Sequence, residues 1–215
     1  MEKRELRFEK KFVVHGMIPE LIDAWVRAHP AQFSIPFPDR QINNIYYDTP
    51  ELRCYAENIA GVNQRRKFRI RWYGNFHDPI VSAKLESKYK HNELGGKDRY
   101  KIEAFDLTKP PILDRQLHAQ IGMDMMIPVL ANSYLRRYYR SADRKFRLTI
   151  DKRIRFGSFL NRPHEIQLDM EQTGYVIEIK YMQKFDPEVH SITNHLPFRQ
   201  SKNSKYVMGV QMTNS

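Results

Sequence analysis

The chain has 215 residues, enough to bury a sizeable core and within reach of one large domain, expected to span residues 1–215. Its 36 Lys and Arg outweigh 25 Asp and Glu for a net charge of +11, scattered rather than gathered in a tail, which selects an anionic partner: a phosphate compound, nucleic acid or a membrane surface. The lone cysteine, Cys54, excludes an internal disulfide or cysteine metal cluster and reads as inert packing, and no apolar run could span a bilayer or serve as a leader, so a cytoplasmic protein without a transmembrane segment is expected.

Taken in chain order, residues 5–14 alternate charged and apolar side chains with the period of a strand. Ile18-Pro19-Glu20 opens a helix over 18–28, and a strand follows over 40–47. Thr49-Pro50-Glu51 reads as an N-cap, a proline at the first helical position and an early acid, with Gly61 closing that helix. Strands are expected at 66–73, 80–89 and 97–104, then a helix at 113–126 beyond Pro110-Pro111. Strands at 133–140, 144–152, 164–171 and 175–182 precede a helix over 187–196 and a last one from about 203. The pattern is α+β, built on a large antiparallel sheet.

One division of faces recurs along these strands. Arg7, Glu9 and Lys11 oppose Leu6, Phe8 and Phe12; Lys67, Arg69 and Arg71 oppose Phe68, Ile70 and Trp72. Lys84, Glu86 and Lys88 oppose Val81, Ala83 and Leu85; Arg147 and Asp151 oppose Phe146, Leu148 and Ile150; Glu178 and Lys180 oppose Ile177 and Ile179. An open sheet would turn the charged face to water, whereas a closed barrel would turn it inward and bury the apolar face under helices. Periodicity does not choose between them. Converging cations repel one another, so the closed form requires water and anions within, a polyanion above all.

The stretches RFEKKFVVH, NNIYYDTPELRCYAENIAG, KFRIRWYG, KLESKYKHNELGGK, SYLRRYYRSADRKFRLTID, VIEIKYM and KNSKYVMGV resemble, in the same order, the catalytic domain of the vacuolar transporter chaperone (VTC) polyphosphate polymerases, a branch of the triphosphate tunnel metalloenzymes. The resemblance implies the closed form, an antiparallel β-barrel of about eight strands with helices outside. It also implies a basic tunnel where the terminal phosphoryl group of ATP passes to a polyphosphate chain with Mn²⁺ or Mg²⁺ as cofactor. Arg69, Arg71, Arg147, Lys88 and Lys205 are then the candidate catalytic groups. Lys11, Lys97, Arg136 and Lys202 are candidate substrate-binding groups, joined by Lys67, Lys84 and Lys180 from the charged strand faces. Glu178 matches the metal carboxylate, with Glu9 a second candidate. Hydrolytic members begin Glu-x-Glu-x-Lys; here Arg7-Phe8-Glu9-Lys10-Lys11 puts an arginine where the first glutamate belongs, which favours the polymerase over a hydrolase.

ATP and polyphosphate or triphosphate are therefore the expected partners, and association with a separate membrane protein is left open. A tripolyphosphatase or nucleoside triphosphatase with the same tunnel and a non-catalytic polyphosphate-binding module are the alternatives. Nucleic acid is disfavoured because charges and aromatics take opposite faces of strand 66–73. The eight histidines form no HxH or HExxH spacing, and Tyr46, Tyr47, Phe68 and Trp72 are expected to pack on the outer face of the barrel.

Overall fold

The structure, a computed structural model, describes residues 7–91, 94–110, 126–161 and 166–214. Among these residues, nine strands form a single antiparallel sheet: β1 (Arg7–Val14), β2 (Arg40–Asp48), β3 (Gln64–Tyr73), β4 (Ala83–His91), β5 (Leu94–Ile102), β6 (Ile127–Arg140), β7 (Phe146–Ser158), β8 (Met170–Gln172) and β9 (Tyr175–Met182). Their order is β6-β2-β3-β4-β5-β1-β9-β7-β8, and β6 also pairs with β7, so eight strands close into a barrel and β8 flanks it. Closure removes the exposed edges that an open sheet of this length would present. Among the described residues, the β1 and β5 seam of the barrel has one paired position, Arg7 with Gly95.

The apolar face points outward, as the closed form requires. Phe68, Ile70 and Leu85 are fully buried in a cluster that also takes in Cys54 of helix α2 (Arg53–Ile59) and Tyr206 and Val210 of the last helix. A second cluster joins Phe12, Leu148, Ile177 and Ile179 to Ile22 and Val26 of α1 (Pro19–Arg27) and to Ile192 of α3 (His190–Thr193). Fully burying one such side chain contributes about 1.5–3 kcal/mol, so these covered faces supply much of the driving force for folding. Among the described residues, no helix is long and apolar enough to cross a membrane.

Local structure departs from the sequence reading at two helices. Helix α2 starts at Arg53 rather than beside Pro50, its N-cap position held by Leu52 in the left-handed region at φ 57°. Its free N–H groups are met from Thr49 and the strand end: Thr49 Oγ1 accepts from Arg53 N at 3.2 Å, and Asp48 accepts from the backbone of Thr49 and Cys54 on Oδ1 and of Tyr55 on Oδ2, each at 2.8 Å. The segment expected as one helix over 187–196 is a 3₁₀ turn, Gln183–Glu188, followed by the short α3. Pro187 cannot donate to a continuous ladder there. The helix expected over 113–126 lies, except for its last residue, outside the described residues.

The final helix, α4 (Lys205–Thr213), is capped by Ser204, whose side chain accepts from Val207 N. It lies so close to the barrel that a Cβ on Gly209 would stand 2.4 Å from Leu130 and 2.6 Å from Phe156. Tyr206 donates its hydroxyl to Asp48, so one buried carboxylate ties α2 and α4 to the end of β2.

On the opposite flank, His29 is 4% exposed and bridges two elements. Its Nδ1 accepts from Ala31 N and its Nε2 donates to Ile192 O, both at 3.0 Å, which requires the neutral ring. Burial, reinforced by His195, holds the imidazole below the usual histidine range despite the Ile192 carbonyl. A depressed folded pKa means that this contribution is present above the unfolded value and lost as pH falls through the folded one. The melting temperature is therefore expected to drop between pH 7 and pH 5, and a thermal melt series on His29→Gln should show a shallower drop.

Candidate active site

Inside the barrel lies a cavity of about 1090 Å³ whose wall carries fourteen Lys and Arg side chains and three carboxylates. The two-residue period puts alternate side chains of each strand on this wall, and the register stacks them in rungs. Lys67, Lys88 and Lys97 form one rung across β3, β4 and β5; Tyr46, Arg69, Glu86 and Arg99 form the next. Across the barrel, Lys11 faces Glu178 and Thr149, while Glu9 faces Lys180 and Arg147.

Buried carboxylates organise the cations. Glu86, 3% exposed, accepts from Arg69 Nε at 3.0 Å and Nη2 at 2.7 Å, from Lys97 at 2.9 Å and from Arg99 at 3.3 Å. Burial alone would raise its pKa, but Arg69, Arg71 and Lys97 hold it well below the carboxylate range. Asp151, fully buried, accepts from Arg136 at 2.6 and 2.8 Å and from Lys205 at 2.5 Å, and these two cations overcome burial to hold it at about 2. Arg71 is oriented by neutral groups, donating to Asn44 Oδ1 at 2.8 Å and Tyr134 Oη at 3.0 Å.

Glu9 and Glu178 share two lysines. Lys180 Nζ lies 3.3 Å from Glu9 and 2.9 Å from Glu178; Lys11 Nζ lies 3.8 and 3.7 Å from them. Burial and Glu178 would raise Glu9, yet Lys88, Lys180 and Lys11 bring it down to about 2, and Glu178 is likewise depressed against burial by Lys180 and Lys11. Both are thus ionised hard oxygen donors on one wall. No cluster of three His, Cys, Asp or Glu suited to a metal occurs among the described residues. Two carboxylates beside phosphate oxygens and water nevertheless fit Mg²⁺ or Mn²⁺, which seldom use an all-protein cage at phosphate sites.

The lysines around these carboxylates do not hold their protons alike: Glu178 and Glu9 outweigh burial and raise Lys180, whereas Lys88 and Lys97 are lowered. Glu9 favours the charged Lys88, but burial, Lys180 and Lys11 lower its pKa to about 8. Burial brings Lys97 to about 8 in spite of Glu86. Tyr134, which burial would raise, is lowered to about 8 by Arg136, Arg71 and Lys205.

Of the candidates read from the sequence, Glu9, Lys11, Lys67, Arg69, Arg71, Lys88, Lys97, Arg136, Arg147, Glu178, Lys180 and Lys205 all line the cavity. Lys84 and Lys202 do not; both are exposed. Lys84 shares a face with Glu86 and Lys88 but stands at the start of β4, and Lys202 lies in the turn before α4. Tyr46 is corrected from the outer face to the inner wall, where it stacks on Tyr206 at 5.1 Å and accepts from Arg69 at 3.4 Å. Arg40, Arg99, Tyr134, Tyr138 and Arg140 also line the cavity. Alternation through Arg136 already put Tyr134, Tyr138 and Arg140 on its face, and alternation through Lys97 did the same for Arg99.

Comparison with solved structures gives the same architecture at low identity. A "putative adenylate cyclase" from Vibrio parahaemolyticus aligns with a TM-score of 0.55 and 13% identity, covering 96% of this chain and 99% of that one. PH1819 protein from Pyrococcus horikoshii OT3 aligns at 0.54 and 16%, covering 95% and 98%. A "putative adenylate cyclase" from Bacillus halodurans aligns at 0.56 and 12%, covering 94% and 95%. No curated protein matches the sequence. The VTC domain profile matches residues 6–214, and with the closed eight-stranded barrel and its cation-lined tunnel this makes the chain a member of the VTC domain family, with the triphosphate tunnel fold.

Proposed function

We propose that the chain is a metal-dependent phosphotransferase that moves the terminal phosphoryl group of ATP onto a polyphosphate chain within the tunnel. The observation that carries this reading is the wall itself: among the described residues, fourteen Lys and Arg side chains line it inside a closed barrel, outnumbering its three carboxylates and the buried Glu86 and Asp151 together. Phosphoryl transfer needs little covalent help; alignment and neutralisation of charge are what a protein supplies. Arg69 and Arg71 are held by Glu86, Asn44 and Tyr134, so their guanidinium forks are oriented before a triphosphate arrives.

Arg147, Lys88 and Lys205 are the other groups set against the reacting phosphates in this reading, and Lys11, Lys67, Lys97, Arg136 and Lys180 bind the rest of the chain. Glu178 and Glu9 would hold Mn²⁺ or Mg²⁺, which when bound would supply positive charge against the charge that develops in transfer. A phosphate oxygen is already a nucleophile, so no general base is required of the protein. Arg7 on the cavity wall adds to phosphate binding rather than to the activation of water, which favours transfer over hydrolysis.

Near Arg40 the wall also carries aromatic surface: its guanidinium lies 4.7 Å from the Phe37 ring, 5.8 Å from Tyr138 and 5.9 Å from Tyr73. These rings supply a stacking surface for the base of ATP. Stacking on one ring is worth about 1–3 kcal/mol, so Tyr138→Ala is expected to weaken ATP binding roughly 5- to 150-fold. Calorimetric titration should show a smaller loss for tripolyphosphate, which has no base.

The reading is tested by incubating the purified protein with ATP and Mn²⁺ or Mg²⁺ and resolving products by size. Long phosphate chains support the transferase. Orthophosphate alone would assign the tunnel to a triphosphatase, and retained binding without turnover to a polyphosphate-binding module.

A further inference from the structure

Lys67 differs from its neighbours on the tunnel wall. The other lysines named there each have a carboxylate within ion-pair distance: Lys11 and Lys180 have Glu9 and Glu178, Lys88 has Glu9, Lys97 has Glu86 and Lys205 has Asp151. Among the described residues none stands so close to Lys67. Its charged neighbours on three strands are cations: Arg65 and Arg69 flank it on β3, Lys88 sits opposite on β4, and Lys11 approaches from β1. From the start of α4 only a hydroxyl meets it, Ser204 Oγ at 2.7 Å.

Resting on the polyanion reading of the tunnel, we propose that Lys67 is a proton-coupled anion-binding group, neutral in the empty tunnel and protonated when a phosphate chain enters. The physical reason is like-charge crowding. Holding a fifth positive charge among Lys11, Arg65, Arg69 and Lys88, without a carboxylate to offset it, favours the free amine. Burial acts in the same direction and is the larger influence, drawing the amine well below the usual lysine range.

Ser204 suits both states. Its Oγ accepts from Val207 N at 3.3 Å, leaving the hydroxyl proton free to point at the lone pair of a neutral amine. When the amine is an ammonium, the same oxygen accepts from it. A chain of phosphates supplies the missing negative charge, so the amine takes a proton from solvent, and amine, proton and anion become an ammonium paired with the anion. Linkage then requires phosphate affinity to weaken as pH rises, by up to about tenfold per unit where the full proton is taken up.

The test is calorimetric titration of the full chain with tripolyphosphate at pH 7, in several non-phosphate buffers of different ionisation enthalpy. At this pH Lys88, Lys97 and Tyr134, each near 8, are already mostly protonated. Lys67→Arg, which stays charged, and Lys67→Met, which never charges, are titrated in parallel, and subtracting either cancels protons exchanged by the anion itself. Wild type is expected to take up close to one more proton per bound anion than each variant. Equal proton numbers in wild type and variants, with binding intact, would overturn the role of Lys67 and leave the tunnel reading standing. Absence of tripolyphosphate binding to wild type would overturn both.

Discussion

Ile70→Asp is expected to abolish the folded barrel. Ile70 is fully buried on the outer face of β3, in the cluster that includes Phe68, Leu85 and Ile45. An aspartate there meets no cation, and an uncompensated buried charge costs about 3–5 kcal/mol in addition to the lost packing, against a total stability of about 5–15 kcal/mol. Circular dichroism and a thermal melt would show loss of the cooperative transition. One residue away, Arg69→Ala should behave oppositely. Glu86 keeps Lys97 and Arg99 as partners, so the barrel remains folded, while loss of one charge-assisted contact worth about 1.5–3 kcal/mol lowers tripolyphosphate affinity roughly 10- to 100-fold. Tolerance of aspartate at 70, or unchanged affinity in the alanine variant, would place the arginine face of β3 toward bulk water and contradict the tunnel.

The second large effect is expected from Glu178→Gln. The carboxylate is 6% exposed and lies beside Lys180, Lys11 and Arg136. The amide keeps the shape but loses the charge, so the metal-dependent transfer proposed above should fall more than about 100-fold, in line with the several kcal/mol that a metal supplies to such a transition state. Three cations lose a shared counterion at the same time. The melting temperature of the empty variant should therefore fall, and tripolyphosphate should restore it by supplying the missing negative charge. Turnover equal to wild type at the same metal concentration would remove Glu178 from the metal site, whatever the stability did.

The contrast between Ile70 and Arg69 shows what was already determined by the chain alone. Two-residue alternation fixes which side chains share a face, because successive Cβ atoms on a strand point to opposite sides whatever the strand pairs with. Lys67, Arg69 and Arg71 were therefore bound to travel together, as were Glu9 with Lys11 and Glu178 with Lys180. Which face is the inside was not contained in that pattern. An open sheet and a closed barrel satisfy it equally, and the long-range pairings of β1 with β5 and β9 and of β2 with β6, which leave each of the eight barrel strands with a partner on both sides, decide the matter. The quoted motifs carried the closed reading by resemblance rather than by periodicity.

Depth along the barrel and the partners of each charge belong to tertiary structure as well. Lys84 and Lys88 are equivalent by alternation, yet only Lys88 reaches the cavity, since position along a strand relative to the mouth of a barrel depends on the stagger of its neighbours. Asp48 joins Thr49 in capping α2 because a strand end and a helix start meet three-dimensionally, with Tyr206 arriving from the far end of the chain. The isolation of Lys67 among cations is of the same kind: its residue type was legible in the sequence, but the absence of a nearby carboxylate among the described residues, and with it the proton chemistry proposed for that amine, arises only when β1, β3, β4 and the start of α4 converge and burial makes each missing counterion count.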